Sequence, residues 1–465
     1  MVIHSPEQAA RSDSGQLLAD LRRVFASGRT RPLRWRLDQL RGIERLVEER
    51  ESEIAAALAA DLGRSAVEAW LGDVASTKAE AAFARKHLKK WIRRRRASLP
   101  VSQLPGRAWV QYDPLGVVLV IGPWNYPVYL SLAPLVAAVA AGNCAVLKPS
   151  ELASATSALL ARLLPHYVDP DAVRVVEGDA ATTQDLLAQG FDHALFTGGT
   201  EIGKKIMAAA APTLTPVTLE LGGKSPVIVA ADADIDVTAR RIAWVKLLNS
   251  GQTCIAPDYV LADHAIADQL VDKIVANLRG FRSAENDPSV RIVNQRQFDR
   301  LVALISATDG KVVAGGGSDS STLRIEPTVI VNSSPHDPVM ANEIFGPILP
   351  VLSVESLDQA VEFVNARPKP LALYVFTSSA QRGRDLVDRV PSGGAVINQI
   401  AMHCLVPQLP FGGVGASGMG AYHGRWGFEA LSHRRAVLSK PTKPDPRLVY
   451  PPYTDRALKI MRRLF

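Results

Sequence analysis

At 465 residues the chain is long enough for two or three domains, and its 47% apolar content is sufficient to bury a sizeable core in each. A charged fraction of 21%, with 33 glycines and 31 prolines, is typical of a globular α/β protein and excludes a disordered or fibrous one. Three widely separated cysteines provide neither a disulfide framework nor metal-ligand spacing, so we expect a reducing, cytoplasmic location and no metal site.

The formal net charge of +7 comes largely from one basic run, residues 89–96. Such a run can bind nucleic acid or an acidic membrane, or it can be the solvated C-terminal end of a helix, where cations oppose the macrodipole. No nucleic-acid-binding signature accompanies it, so we favour the helix end and expect no nucleic-acid partner.

Neither end of the chain predicts a membrane-spanning segment. The N-terminus, residues 1–6, turns polar at once, so no signal peptide is expected. The tail at 457–465 is basic and amphipathic, which allows weak contact with a membrane surface but is too short to cross one.

The first hundred residues are predicted to be helical, because apolar residues recur at helical spacing over 17–26, 34–62 and 66–94. The next segment, 106–114, carries aromatic and apolar residues between turn residues. We interpret it as an extended hairpin arm that suits contact with another subunit better than a core.

From residue 116 onward, short apolar segments alternate with helical ones. The predicted strands are 116–121, 145–148, 173–177, 193–197 and 217–220. Strands that are apolar on both faces and separated by helices are typical of a parallel, doubly wound sheet. Ligands bind such sheets at the carboxyl ends of the strands. A second α/β unit is predicted over residues 228–397.

Cys254 and Glu220 form a candidate catalytic pair. Cys254 lies in a short polar turn directly after a helix-like run, where a substrate can reach its sulfur. Glu220 lies in an apolar, Gly-rich turn, where burial would raise its pKa toward neutrality and suit it to general-base work. A thiol with a base is the pairing that covalent catalysis at a carbonyl requires. Cys144, inside a predicted strand, and Cys404 are interpreted as small buried hydrophobes.

A set of motifs, running in one order from about residue 20 to 440, resembles the aldehyde dehydrogenase superfamily, and within it the class 3 branch of fatty, aromatic and coniferyl aldehyde dehydrogenases. The motifs are PWNYP (123–127), KPSE (148–151), FTG (196–198), LELGGKSP (219–226), GQTC (251–254), EIFGP (343–347) and PFGGVGASGMG (410–420). The resemblance implies NAD(P)-dependent oxidation of an aldehyde to a carboxylic acid, through a thiohemiacetal and a thioester.

The same resemblance implies two doubly wound, Rossmann-like α/β domains with a small β oligomerisation arm, assembled as a homodimer. The expected division is an NAD-binding domain over 1–105 and 116–221, a catalytic domain over 222–397, oligomerisation or bridging segments over 106–115 and 398–440, and a C-terminal tail over 441–465.

In that family Cys254 would be the nucleophile, attacking as a thiolate. Asn125 would donate its side-chain N–H to the developing oxyanion, jointly with the backbone N–H of Cys254. Glu220 would activate the water that hydrolyses the thioester, with Glu343, the family's ribose ligand, as second candidate for that proton transfer. Judged by residue type alone, Asn125 would be an ordinary turn residue and Glu343 a capping carboxylate.

The expected cofactor is NAD, with NADP as the alternative. No G-x-G-x-x-G motif is present. Instead, glycines at 198, 199 and 203 join a strand to a helix, whose N-terminus suits a pyrophosphate. Where Gly199 stands the family commonly has a serine, so Thr200 is the candidate for that phosphate contact. The full set implied is Ile121, Trp124, Lys148, Glu151, Gly198, Gly199, Thr200, Gly203, Leu221, Glu343 and Phe345, with Lys148 and Glu151 at the adenosine ribose and Phe345 on the nicotinamide.

The substrate is expected to be an apolar aldehyde, medium-chain or aromatic, because aromatic and aliphatic residues match the positions that line the class 3 tunnel. They are Tyr126, Trp244, Leu248 and Phe411, each of which could equally be a core residue. Two other classes stay open, a CoA-acylating dehydrogenase, which would not need Glu220, and a non-catalytic basic-patch binder. His403 and His423 are interpreted as structural.

Overall fold

The computed structural model describes residues 6–282, 290–445 and 447–464. Most of the N-terminus on which the signal-peptide expectation depends, residues 1–5, lies outside the described residues, as does the last residue of the basic tail.

The first hundred residues are helical, as predicted. The helices are α1 (Pro6–Ala26), α2 (Leu33–Glu49), α3 (Glu51–Leu62), α4 (Ala66–Ala69) and α5 (Ala75–Trp91). Between α4 and α5 the chain forms a π-helical turn, Trp70–Val74, so the long third helix is continuous but locally widened. The basic run does not simply end this helix: α5 stops at Trp91, and Arg95–Ala97 forms strand β1.

The chain then alternates between strands and helices, and each of the strands predicted between 116 and 220 is present with small differences at its ends. The elements are β2 (Arg107–Pro114), β3 (Val117–Ile121), α6 (Tyr129–Ala141), β4 (Cys144–Lys148), α7 (Ser154–Leu163), β5 (Val173–Val175), α8 (Ala180–Ala188), β6 (His193–Gly198), α9 (Thr200–Ala210) and β7 (Val217–Leu221). Strands β3 and β4 are buried along their whole length, since helices cover both faces of the sheet.

The second half continues the alternation. Its elements are β8 (Pro226–Val229), α10 (Ile235–Leu247), β9 (Tyr259–Asp263), α11 (Ala267–Gly280), α12 (Gln295–Ala307), β10 (Lys311–Ala314), β11 (Ser318–Asp319), β12 (Arg324–Ile325), β13 (Thr328–Val331), α13 (Pro338–Ala341), β14 (Ile348–Val354), α14 (Leu357–Asn365), β15 (Ala372–Phe376), α15 (Ala380–Arg389), β16 (Gly394–Ile397), β17 (Gly418–Met419), α16 (Gly424–Ala430), β18 (Ser432–Ser439) and α17 (Asp455–Leu464).

Two large sheets carry these elements. The first has strand order β17-β7-β6-β3-β4-β5 and the second β10-β13-β14-β9-β8-β15-β16. Both are parallel except at one edge, where β17 and β10 run antiparallel to their neighbours. The order reverses direction inside each sheet, which confirms the expectation of two doubly wound α/β units.

The segment predicted as an extended hairpin arm does form a strand, and this strand runs antiparallel to the strand before it in the chain. Strand β2 pairs with β1 on one side and with β18, more than three hundred residues later, on the other. The sequence pattern shows that a segment is extended; it does not show a partner so distant in the chain.

Helix α6 lies where the large sheet meets the N-terminal helices. Every residue from Tyr129 to Ala141 is buried, because α2, α5 and α16 pack around it. Its first turn therefore occupies a fixed position beside the carboxyl end of β3. Among the described residues, no helix combines the length and the apolar character needed to cross a membrane.

Candidate active site

The carboxyl ends of the strands of the first sheet, where ligands are expected to bind, meet at one edge. Strand β3 pairs with β4 so that Ile121 lies opposite Lys148, and with β6 so that Ile121 lies opposite Phe196. On the other side of β6, Gly198 lies opposite Leu221. The carboxyl ends of these strands therefore form a continuous rim, as expected for a ligand-binding edge.

The candidate nucleophile follows a strained turn. Asn249, Ser250 and Gly251 all have positive φ, at 51°, 50° and 70°. At position 251 a glycine is needed, because a Cβ atom would lie 2.3 Å from the carbonyl oxygen of Gly346. Strain of this kind persists only where surrounding contacts hold it, and it is common at functional sites.

Hydrogen bonds hold that turn. Asn249 donates from Nδ2 to the carbonyl oxygens of Asn125 and Gln252, over 3.1 and 3.0 Å. Gln252 donates from Nε2 to the carbonyl oxygen of Asn249, and Ser250 donates from Oγ to that of Val290. The position of Cys254 is thus set by contacts within the turn and with two other segments of the chain, at Asn125 and Val290.

Cys254 and Glu220 open onto one cavity of about 140 Å³. All four residues predicted for the substrate pocket line it: Tyr126, Trp244, Leu248 and Phe411. Cys404 also lines this cavity and is only partly buried, so its interpretation as a buried structural residue was wrong. Cys144, in β4, is buried as expected.

Sequence reasoning missed part of the lining. Arg64, Glu68 and Leu71 come from the α3–α5 region, and Leu371 and Met402 come from segments far from any motif. Leu71 is 36% exposed, but that exposure belongs to the folded chain and is not a signal in the sequence. All five residues are recognisable only once the chain is folded.

Burial raises the pKa of the Cys254 thiol above its usual range, and the nearby carboxyls of Glu343 and Glu220 act in the same direction. Attack as a thiolate therefore requires a base that takes the proton during catalysis.

Glu220 fits that requirement. It is 3% exposed, and neither carboxylate oxygen has a hydrogen-bond partner among the described residues. Burial raises the pKa of this carboxyl well above its usual range. An unpaired carboxyl in an apolar cavity is a costly structural choice, and such groups are concentrated at functional sites.

Asn125 lies between the two segments that carry the chemistry. Its side chain donates from Nδ2 to the carbonyl oxygen of Gln252 over 3.1 Å, and it is 4% exposed. The amide is thus held beside the turn that precedes Cys254, where it can donate to an oxyanion formed at the sulfur-bound carbon.

The rim of the sheet fits a dinucleotide. Helix α9 begins at Thr200, and no heavy atom lies within 4 Å of a Cβ built on Gly199, so its N-terminus is open to a phosphate. Lys148 forms an ion pair with Glu151 over 2.9 Å at the end of β4. The hydroxyl of Thr200 donates to the carbonyl of Ala416 over 3.3 Å, so a phosphate contact would require that bond to break.

The other cofactor candidates shape the site around this rim. Phe345 has a φ of 50° and meets Trp124 edge to face, with ring centres 5.4 Å apart. Burial raises the pKa of Glu343 to about 8, and nearby Asp258 adds to the effect. Gly203 lets α9 approach β7, because a Cβ there would lie 2.5 Å from the side chain of Leu221.

His423 has a structural environment, as expected. It is hydrogen-bonded through Nε2 to the hydroxyl of Tyr129 over 3.1 Å, and burial lowers its pKa to about 3. The ring is therefore neutral at working pH. His403 also lies in an apolar environment, where burial lowers its pKa to about 4.

A thiol, an oriented amide and an unpaired carboxyl lie together beside a rim that fits a dinucleotide, an arrangement suited to a nicotinamide-dependent dehydrogenase. The chain belongs to the aldehyde dehydrogenase family, whose model, described as "Aldehyde dehydrogenase family", matches residues 1–437. It is an NAD(P)-dependent aldehyde dehydrogenase of the class 3 branch.

Curated relatives support that branch. The chain is 48% identical to "Aldehyde dehydrogenase family 3 member A2" of Mus musculus over 440 residues, covering 94% of this chain and 90% of the relative. It is 46% identical to "Aldehyde dehydrogenase, dimeric NADP-preferring" of Rattus norvegicus over 422 residues, covering 90% and 93%.

Solved structures agree. A substrate-bound AldH of Staphylococcus aureus superposes with a TM-score of 0.93 at 38% identity, covering 97% of this chain and 99% of that one. An indole-3-acetaldehyde dehydrogenase of P. syringae in complex with NAD+ superposes with a TM-score of 0.86 at 25% identity, covering 93% and 89%.

A second cavity adjoins the first and contains another buried carboxyl, Glu80, beside Tyr129 and Cys404. Glu80 accepts a hydrogen bond from the backbone N–H of Gly424. Burial nevertheless raises its pKa from 4.5 to about 7. Between those pH values the folded protein keeps a proton that the unfolded chain has released, so stability falls as pH rises through this window.

We expect Glu80→Gln to remove this dependence. The difference between the two pKa values corresponds to roughly 3 kcal/mol of unfolding free energy. The wild type loses this stability between pH 4.5 and 7, and the variant does not. Urea denaturation at pH 5 and pH 8 measures it: the variant should gain stability relative to the wild type at pH 8 only. An equal difference at both pH values would contradict the assignment.

Proposed function

We propose that the enzyme oxidises apolar aldehydes, medium-chain aliphatic or aromatic, to carboxylic acids through a thioester on Cys254. The observation that carries the proposal is one cavity that contains both Cys254 and Glu220 and is walled by Tyr126, Trp244 and Phe411. An aromatic and aliphatic wall favours apolar substrates, because it offers few partners for a charged group.

In the proposed reaction the Cys254 thiol transfers its proton to Glu220, and the sulfur attacks the carbonyl carbon. Asn125 and the backbone N–H of Cys254 donate to the oxyanion of the resulting thiohemiacetal. When bound, the nicotinamide dinucleotide supplies the hydride acceptor. After Glu220 has released that proton to solvent, it removes a proton from a water molecule that attacks the thioester carbon, and it returns this proton to the departing sulfur, which releases the acid and restores the thiol.

The cofactor would be held by the rim residues, with Lys148 and Glu151 at the adenosine ribose and Glu343 at the nicotinamide ribose. Glu151 is 44% exposed at its side chain and repels a 2′-phosphate, which supports a preference for NAD. The rat relative named as NADP-preferring shows that the branch also accommodates the phosphorylated form.

The test is a panel of aldehydes assayed with each cofactor, with the product identified in the absence of CoA. We expect acid as product, and kcat/KM should rise from short to medium-chain and benzylic aldehydes. Turnover only with added CoA would favour the acylating alternative, and a preference for charged semialdehydes would contradict the apolar substrate.

We also propose a homodimer, with an NAD-binding domain on the first sheet, a catalytic domain on the second, and the β1-β2-β18 sheet for assembly. Strand β18 lies at an edge of that small sheet and is mostly exposed, with Leu438 52% exposed. An exposed edge strand is suited to pairing with another chain, and the rat relative is named as dimeric. A mass of twice 50.1 kDa in light scattering would support the dimer, and the mass of a monomer would contradict it.

The cytoplasmic location and the weak membrane contact of the tail stay predictions.

A further inference from the structure

Arg64 and Asp73 form an ion pair that is sealed inside the protein. Their side chains are 1% and 0% exposed. Arg64 lies just after α3, and Asp73 lies in the π-helical turn that precedes α5. Since burying two charges costs about as much as their attraction returns, a pair of this kind is weak support for the fold. The other contacts of the two residues show which parts of the candidate active site the pair positions.

The other hydrogen bonds of Arg64 to described residues are with the active site. Its Nη2 donates to the carbonyl oxygen of Asn125, and its Nε donates to Oδ1 of Asn249 over 3.1 Å. The guanidinium carbon lies 4.1 Å from the ring centre of Tyr126, which walls the substrate cavity. One side chain thus touches the proposed oxyanion donor, the turn before the nucleophile and the tunnel wall.

Asp73 holds the other end of the same loop. Its Oδ2 accepts from Arg64, and its Oδ1 accepts the backbone N–H groups of Val128 and Tyr129 over 3.0 and 2.9 Å. Tyr129 begins helix α6, so the carboxylate caps that helix. The pair therefore forms hydrogen bonds with both ends of the segment from Asn125 to Tyr129.

We propose that Arg64 and Asp73 are positioning residues for the oxidation: they set the direction of the Asn125 amide relative to Cys254. The inference depends on the roles proposed above for Asn125 and Cys254. The link is a closed set of hydrogen bonds. Arg64 and Asn249 both donate to the backbone carbonyl of Asn125. Asn125 and Asn249 in turn both donate to the backbone carbonyl of Gln252.

An arginine is required for this arrangement. Its planar fork directs separate N–H donors to Asp73, Asn125 and Asn249 at once while its face packs on Tyr126. A lysine keeps the charge but presents a single ammonium, which cannot reproduce the three directions or the stacking. Arg64→Lys therefore keeps the buried charge balanced and removes the geometry.

The first test compares Arg64→Lys and Asp73→Asn with Arg85→Lys. Arg85 pairs with Glu44 over 2.6 Å between α5 and α2 and does not line the cavity, so it is a matched control for loss of an arginine fork. The measurement is the rate of the first NADH-forming turnover in stopped flow, with cofactor affinity measured separately. Misplacement of a catalytic group by about 1 Å can cost 10²-fold, so we expect a fall of about 10- to 100-fold for the two site variants and none for the control.

Cofactor affinity and the thermal midpoint separate positioning from folding. We expect Arg64→Lys to bind the dinucleotide within about twofold of wild type and to lower kcat rather than raise KM. A variant that loses rate only in proportion to lost folding or lost cofactor binding would overturn the proposal. Asp73→Asn is the second variant for this comparison, because asparagine retains the shape of the aspartate side chain and one of its two acceptor oxygens.

A double-mutant cycle with Asn125→Ala gives the decisive result. If Arg64 acts through Asn125, the double variant should be no more than about twofold slower than Asn125→Ala alone, because coupled residues are non-additive. Fully multiplicative losses would overturn the proposal. If Asn125→Ala lowers the rate while Arg64→Lys does not, the positioning role of Arg64 and Asp73 is refuted and the oxyanion role of Asn125 is retained. A normal Asn125→Ala would refute the oxyanion role and the pair with it.

Discussion

Cys254→Ala is expected to abolish NAD(P)-linked aldehyde oxidation while cofactor binding is retained. Without the sulfur no covalent adduct forms at the carbonyl carbon, and loss of a nucleophile commonly costs about 10⁴- to 10⁶-fold in rate. The cofactor candidates lie along the rim of the first sheet, whereas Cys254 opens onto the substrate cavity. Steady-state NADH formation and equilibrium binding of the dinucleotide measure the two effects separately.

The chain contains its own controls for this substitution. Cys144 is buried in β4 and should tolerate alanine with nearly full activity. Cys404 lines the same cavity as Cys254, so Cys404→Ala tests whether a second thiol in that cavity can support turnover. We expect it to change KM modestly and to leave kcat within a few fold. Activity above about 1% in Cys254→Ala would refute the assignment of the nucleophile.

Glu220→Gln is expected to slow the first turnover, because the thiol loses its proton acceptor, and to stall the reaction after that single equivalent of NADH. The amide keeps the shape of the side chain but cannot accept a proton from water, so the thioester accumulates. Loss of a positioned general base typically costs 10²- to 10⁴-fold. Because the carboxyl has no hydrogen-bond partner among the described residues, we expect the variant to fold normally. Rapid-quench detection of the acyl-enzyme measures the intermediate directly.

The pH dependence of deacylation gives an independent check. Burial raises the pKa of Glu220 well above its usual range, and only the ionised carboxylate can act as a base. Wild-type deacylation should therefore rise with pH, and the residual rate of Glu220→Gln should lack that rise. Glu343→Gln is the matched comparison, because burial also raises its pKa, to about 8. A burst in Glu343→Gln with normal turnover in Glu220→Gln would transfer the role to Glu343.

Much of the site was predictable because its chemistry is concentrated in short stretches of the chain. A cysteine in a polar turn, a carboxyl in an apolar strand end and glycines between a strand and a helix each indicate local chemistry without knowledge of the fold. The pocket residues Tyr126 and Trp244 were predicted as well, but only through the resemblance to the class 3 branch. Cys404 was not, because its neighbours in sequence do not show that it faces the cavity.

The sequence by itself determined the elements whose signals are local: the amphipathic helices, the doubly apolar strands and the residues that end them. Only the tertiary structure decided which distant segments meet. Strand β2 pairs with the distant strand β18. The Arg64–Asp73 pair links the N-terminal helices to Asn125 and to the turn before Cys254. The physical reason is that periodicity reports which face of an element is buried, whereas ion pairs and hydrogen bonds between remote residues depend on how those faces pack.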